Sequence, residues 1–168
     1  MSRADHLIYD KPGHLIRRLQ QIAVAIFMTE TEKFDITPVQ YAALLAVALH
    51  PGIDQTALVN LIAFDRSTIG RVVSRLERKM LIRRVTGARD RRTKQLAVTP
   101  IGRRVLRDIE PAVQSAQGLI LAPLRPDERS VFMQMMKRLV QINNVRSRAP
   151  QRAPKERSRK GAAARIRT

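Results

Sequence analysis

Apolar residues recur at helical spacing from near the start of the chain. After Pro12-Gly13, residues Leu15, Leu19, Ile22, Ala23 and Ile26 fall on one face of a helix that the pattern carries to about Glu32. Thr37-Pro38 then joins a capping hydroxyl to a proline at the first helical position, and Tyr41, Leu44, Leu45 and Ala48 form the inward face of a second helix. His50-Pro51-Gly52 stops it, because a residue before proline resists the α region and glycine serves the turn. Asp54 is placed to cap a short helix from Gln55 to Leu61, and Asp65 a longer one from Arg66 to Lys79. The longer helix turns Ile69, Val72, Val73 and Leu76 inward and leaves Ser67, Thr68, Arg71 and Arg75 on a polar, basic outer face. A short helix, a brief turn and a longer helix of this kind make the pattern of a helix-turn-helix, although the turn Ala63-Phe64 lacks the glycine often found there.

The period then changes. Leu81–Val85 and Lys94–Val98 are β-prone runs on either side of a polar, glycine-containing loop, which predicts a hairpin with a basic tip. Residues 83–94 hold six basic side chains against Asp90. Such density costs folding energy through self-repulsion unless a polyanion accepts it, so DNA contact is favoured over an ordinary solvated hairpin. Thr99-Pro100 repeats the capped start for a helix bearing Ile101, Val105, Ile109, Ala112, Ala116 and Leu119, with a kink expected at Pro111. Pro126, Asp127 and Glu128 open the last helix, where Phe132, Met135, Leu139 and Ile142 form a seam suited to another helix. The stripes on the first and the last two helices exceed what a small lobe can cover. An intramolecular bundle would satisfy them, and a homodimer interface built from both chain ends is preferred.

Composition narrows the chemistry. The 168 residues are 44% hydrophobic, enough for one real core or two intimately packed lobes. No apolar run approaches the roughly 18 residues of a membrane span, and no apolar stretch follows Arg3, Asp5 and Lys11 as a secretory signal would require, so a soluble cytoplasmic protein is expected. Cysteine is absent, which excludes disulfides, thiol nucleophiles, thiolate zinc sites and cysteine-based redox sensing. His6, His14 and His50 lack zinc-type spacing, and no phosphate-cradling glycine loop or nucleophile motif is present, so neither an enzyme nor a cofactor is expected.

The 32 Lys and Arg against 14 Asp and Glu give a formal net charge of +18. Residues 146–168 hold nine of the basic residues and one acid, a net of +8, and too few large apolar residues to offset ordering; a disordered tail is expected. It is either a basic arm for nucleic acid or a solubilising extension.

The order helix, helix, helix-turn-helix, basic hairpin, helix, helix resembles the MarR family of winged-helix transcriptional regulators over about residues 12–145. The most specific likeness is the wing, Asp90-Arg91-Arg92-Thr93-Lys94-Gln95-Leu96-Ala97-Val98-Thr99, which matches the family pattern at Asp90, Arg92 and Thr99 and departs from it at Val98, where leucine is usual. Thr37-Pro38-Val39-Gln40-Tyr41, Arg75-Leu76-Glu77 and Thr99-Pro100-Ile101-Gly102 support it. The resemblance implies a mainly α fold with a small β-hairpin wing: a dimerisation helix over 1–36, a winged helix-turn-helix DNA-binding lobe over 37–99, C-terminal dimerisation helices over 100–145, and the basic tail 146–168. It implies a homodimer on an inverted-repeat operator in double-stranded DNA, with the helix Asp65–Lys79 in the major groove.

On that footing Arg71 and Arg75 are candidates for guanine edges, Ser67 and Thr68 for bases or phosphates, and Arg92 for the minor groove. Asp90 is expected to orient a wing arginine, and Arg89, Arg91 and Lys94 to clamp phosphates. The family also implies an effector, a small anionic aromatic such as a hydroxynicotinate, for which His14, Arg17, Arg18 and Tyr41 are the candidate ligands. The principal rival is a sequence-independent architectural nucleic-acid binder. RNA binding is weaker, since aromatics are only 4% of the chain and offer no stacking platform.

Overall fold

Helix starts are set by short polar side chains at the positions the sequence marks. Thr37 Oγ1 accepts the Gln40 N–H at 3.4 Å, Asp54 Oδ1 the Ala57 N–H at 2.8 Å, Asp65 Oδ1 the Thr68 N–H at 2.7 Å, and Thr99 Oγ1 the Gly102 N–H at 3.0 Å. The computed structural model describes residues 9–86 and 94–153, and these caps open four of the six helices named below. In chain order the elements are α1 (Pro12–Glu30), α2 (Pro38–Leu49), α3 (Gln55–Ile62), α4 (Arg66–Arg78), β1 (Ile82–Thr86), β2 (Lys94–Val98), α5 (Pro100–Leu121) and α6 (Pro126–Asn143). Short 3-10 turns at Glu32–Phe34 and Asn144–Arg146 follow α1 and α6.

The strands pair antiparallel from Ile82 opposite Val98 to Thr86 opposite Lys94. The Leu96 N–H donates to Ile53 O at 2.7 Å, and a single bridge between Asp54 and Gln95 adds the segment before α3 to the edge of β2. One core lies beneath this hairpin: Leu44 and Val47 from α2, Leu58 from α3, Ile69, Val73 and Leu76 from α4, Ile82, Leu96, and Ile109 from α5. The mainly α fold with a small hairpin wing is thus the observed architecture.

Two expectations need adjustment, the buried face of the helix from Pro100 and the state of the segment from residue 146. The helix from Pro100 continues through Pro111 to Leu121, and Val113, not Ala112, joins Ile109 and Ala116 on the buried face. Along α1 only Phe27 is buried, while Leu15 and Ile22 are exposed, as are Ile101 and Leu119 on α5. No residue of α6 is buried, and Met135, Leu139 and Ile142 of its seam are more than half exposed. The apolar stripes at the two ends therefore exceed what this chain covers by itself. The segment expected to be disordered from residue 146 is docked as far as Arg152, whose N–H donates to Asn60 O at 2.8 Å; residues 154–168 lie outside the described part.

Two backbone positions carry unusual demands. Ala63, between α3 and α4, takes the left-handed conformation at φ 55, where glycine is the unstrained residue. Gly102, in the first turn of α5, packs so closely on β1 that a Cβ there would overlap the Leu81 carbonyl and come within 3.0 Å of Val98 Cγ2. Ala63→Gly is expected to raise the unfolding free energy by about 0.5–1 kcal/mol, relief of left-handed strain less the added entropy of the unfolded chain. Gly102→Ala is expected to lower it by about 2 kcal/mol or more. Urea unfolding followed by circular dichroism measures both, and equal midpoints for the three proteins would contradict the account.

Candidate nucleic-acid interface

The amphipathic α4 separates its faces cleanly. Ile69, Val72, Val73 and Leu76 are buried, which fixes the helix rotation and leaves Arg71, Ser74, Arg75 and Arg78 exposed. The three arginines follow the spacing i, i+4, i+7 and so form one stripe. A shallow cleft of about 300 Å³ runs along it, lined by Gly70, Arg71, Ser74, Arg75 and Arg78. Gly70 keeps its floor low. Arg75 was anticipated from the sequence; Arg78 was not, although its spacing from Arg71 was the available signal.

At the helix start, Asp65 organises the polar residues. Its carboxylate accepts from Ser67 Oγ at 2.6 Å, the Thr68 N–H at 2.7 Å and Thr68 Oγ1 at 2.6 Å. The Ser67 and Thr68 hydrogen bonds hold the Asp65 carboxyl well below the usual carboxylate range. Both hydroxyl protons are thereby directed at Asp65, so these side chains offer acceptors to any ligand unless they turn away from the cap. Arg66 reaches back to α3, its Nη2 donating to Thr56 Oγ1 at 3.1 Å.

The hairpin adds charge beside the helix. Arg83, Arg84 and Lys94 are exposed on the strands. Arg84 pairs with Glu77 of α4 at 3.0 Å, and Lys94 Nζ donates to Thr86 Oγ1 at 3.3 Å. Arg89, Asp90, Arg91 and Arg92 lie outside the described residues; of the expected wing contacts only Lys94 is located, opposite Thr86 at the loop end of the strands.

The proposed effector residues divide into two sets. On α1, His14 meets Tyr9 edge-on at 5.4 Å, and Arg17 and Arg18 donate to the same Gln21 Oε1 at 3.1 and 3.0 Å. Tyr41 lies against Phe27 at 5.9 Å and donates its hydroxyl to Glu110 of α5 at 2.9 Å. Burial, reinforced by Glu110, pushes the Tyr41 phenol up to about 12, so it is neutral and a donor. Hydrogen bonds from Gln114 and Tyr41 lower Glu110 correspondingly. A cleft of about 380 Å³ lies elsewhere, between the start of α2 and the end of α4, lined by Asp35, Thr37, Gln40, Arg75, Arg78 and Lys79.

Comparison with known proteins agrees with this fold. The model of the MarR family matches residues 34–93, from the turn before α2 to the residue before β2. The transcriptional regulator HosA of Escherichia coli is 31% identical over 131 residues, 78% of this chain and 96% of HosA. The crystal structure of the PcaV transcriptional regulator from Streptomyces coelicolor with its natural ligand superposes with a TM-score of 0.73 at 37% identity, covering 84% of this chain and 98% of PcaV. BpsR of Bordetella bronchiseptica, whose DNA binding is regulated by 6-hydroxynicotinic acid, gives a TM-score of 0.73 at 26% identity over 78% of this chain and 94% of its own.

The Asp65 cluster makes a prediction about acid stability. A carboxyl lowered in the folded state contributes stability that is complete above its unfolded value of 3.8 and fades as pH falls toward the folded value. Asp65→Asn keeps a capping oxygen but gives up the charge. Wild type is expected to be the more stable protein at pH 6, with the difference shrinking steadily below about pH 4. Urea midpoints measured from pH 6 to pH 2 test this; a constant gap would mean that the carboxylate charge has no part in it.

Proposed function

The chain belongs to the MarR family of winged-helix transcriptional regulators, and on that premise we propose that it is a homodimeric repressor released from an inverted-repeat operator by a small aromatic carboxylate. The observation that carries the DNA reading is the stripe Arg71, Arg75 and Arg78, held outward by a buried apolar face and flanked by the basic strands of the hairpin. Guanidinium groups so placed suit bidentate recognition of guanine in the major groove. Ser67 and Thr68 attend the helix start, and Arg89, Arg91, Arg92 and Lys94 supply the wing, with Asp90 as the residue that orients an arginine there.

The exposed apolar residues of α1, α5 and α6 support the dimer, because one chain leaves Leu15, Ile22, Leu119, Leu139 and Ile142 in water. The corresponding division is a reading lobe over 37–99 between dimerisation helices from both ends. Similarity to PcaV and BpsR supports an aromatic-acid effector, such as a hydroxynicotinate, bound near His14, Arg17, Arg18 and Tyr41. The two guanidinium groups would hold its carboxylate, and Tyr41, whose one proton is given to Glu110, would accept from a ring hydroxyl. A sequence-independent architectural role is not favoured, since the relatives named are transcriptional regulators.

Selection of bound duplexes from a random pool at near-physiological salt is expected to enrich an inverted repeat whose half-sites lie about one helical turn apart. Arg71→Ala and Arg92→Ala should each cost about 1–3 kcal/mol on the selected site. Tight binding without enrichment would instead support the architectural reading. On the effector side, 6-hydroxynicotinate and a panel of substituted benzoates are to be titrated against the complex. Release by one of them, weakened at least tenfold in an Arg17→Ala, Arg18→Ala double variant, is the expected result; release undiminished in that variant would remove the arginines from the site.

A further inference from the structure

The buried face of α2 begins on a polar residue. Gln40, Ala43, Leu44 and Val47 follow the spacing i, i+3, i+4, i+7 and are all buried, so Gln40 holds a position that the pattern assigns to a hydrocarbon. It is 4% exposed, and its Oε1 has no hydrogen-bond partner among the described residues. A buried acceptor left unpaired destabilises a fold, because its bond to water is lost without replacement. An apolar residue of similar length would avoid that cost. A conflict of this kind between the local pattern and the residue present is characteristic of a functional position.

Gln40 forms part of the wall of the 380 Å³ cleft between the start of α2 and the end of α4. The charged residues of that wall are Arg75, Arg78 and Lys79 against the one carboxylate of Asp35. Lys79 is committed to Asp35: its Nζ donates to Oδ2 at 2.7 Å and also to the Asp35 backbone carbonyl. Arg75 and Arg78 are exposed and enter no ion pair among the described residues, although Arg75 acts on Asp35 through space. One cleft thus joins two guanidinium groups, which suit an oxyanion, to a buried acceptor that only a hydroxyl or an N–H can satisfy. Its volume lies within the range of small-molecule sites.

We propose that this cleft binds a small hydroxylated oxyanion, with its carboxylate or phosphate on Arg75 and Arg78 and its hydroxyl donating to Gln40 Oε1. The site is separate from His14, Arg17, Arg18 and Tyr41, none of which lines the cleft. Its consequence for DNA rests on the reading of the arginine stripe given above. Arg75 and Arg78 cannot serve a duplex and a bound anion at once, so the two ligands compete. By linkage, each weakens the affinity for the other by the same factor.

The test begins without DNA. Glycerate and glycerol 3-phosphate, each beside a counterpart lacking the hydroxyls (propionate and propyl phosphate), are titrated at constant ionic strength into isotope-labelled protein. Nitrogen–proton correlation spectra follow the Gln40 side-chain amide and the arginine Nε groups. One hydroxylated anion is expected to shift the Gln40 amide and to bind at least about tenfold tighter than its counterpart. Which pair does so distinguishes a carboxylate from a phosphate ligand. Gln40→Met is expected to abolish that preference without lowering the urea midpoint, and the double variant Arg75→Ala, Arg78→Ala to abolish binding of either member. Equal affinities within both pairs, or no shift at Gln40 with any of the four compounds, would overturn the site. A Gln40→Met midpoint well below that of wild type would show that Oε1 is already satisfied, and would overturn the role given to it. The tighter anion is then titrated in the presence of excess random-sequence duplex, where a weaker apparent affinity is expected. Affinity unchanged by bound duplex would overturn the competition, and failure of the duplex to bind at all would count against the DNA-binding reading alone.

Discussion

The geometry of the reading surface depends on one close backbone junction, where the end of α4, the start of β1 and the first turn of α5 meet. At the end of α4, the Leu81 N–H returns to Leu76 O at 2.9 Å and the Met80 N–H to Glu77 O at 2.8 Å, with Met80 left-handed at φ 57. The Thr99 N–H then donates to Leu81 O at 3.0 Å, Thr99 Oγ1 donates to Met80 O at 2.6 Å, and the same oxygen caps Gly102. The missing Cβ of Gly102 is what lets α5 approach the Leu81 carbonyl. Peptide groups, rather than long side chains, thus tie the recognition helix to α5. Such bonds have little rotational freedom, so the direction in which Arg71, Arg75 and Arg78 point is referred rigidly to the helix whose far end carries the exposed Leu119. A dimer formed through that end would inherit a fixed separation between its two reading helices.

A chain with a net charge of +18 must also limit its own repulsion. The described ion pairs at the reading lobe serve this at its edges. Lys79 at the end of α4 is paired with Asp35 at 2.7 Å, and that pair holds the Asp35 carboxyl below its usual range. Arg84 on β1 is paired with Glu77. Both acids stand at the C-terminal half of α4 or beyond it, and no ion pair among the described residues engages Arg71, Arg75 or Arg78. The stripe thus has no direct ion pair among the described residues, although the Asp35 carboxylate acts on Arg75 through space, and the pairs at its margins are individually weak in water. That distribution favours an external polyanion at the centre of the face over any internal partner. It also explains why salt, which screens charges beyond about 8 Å at physiological strength, should govern affinity more than it governs folding.

What was legible in the sequence was what is local. Thr37, Asp54, Asp65 and Thr99 announce their helices because a cap acts over three residues, and the inward set Ile69, Val72, Val73 and Leu76 follows from helical periodicity alone. The basic hairpin and the family resemblance were likewise carried by contiguous residues. The contacts that escaped notice join distant positions through polar atoms, which leave no period in the pattern. Tyr41 and Glu110 are separated by 69 residues, and neither neighbourhood signals the other. The docking of residues 144–152 on α3 was hidden for a related reason. Its segment is rich in arginine and proline and poor in large apolar residues, so composition argues for disorder, yet four hydrogen bonds to backbone groups, two of them at the open end of a helix, need no apolar side chain at all. Composition measures the capacity to bury a surface. It is blind to unsatisfied carbonyls elsewhere in the fold, and these are what a polar tail finds to hold.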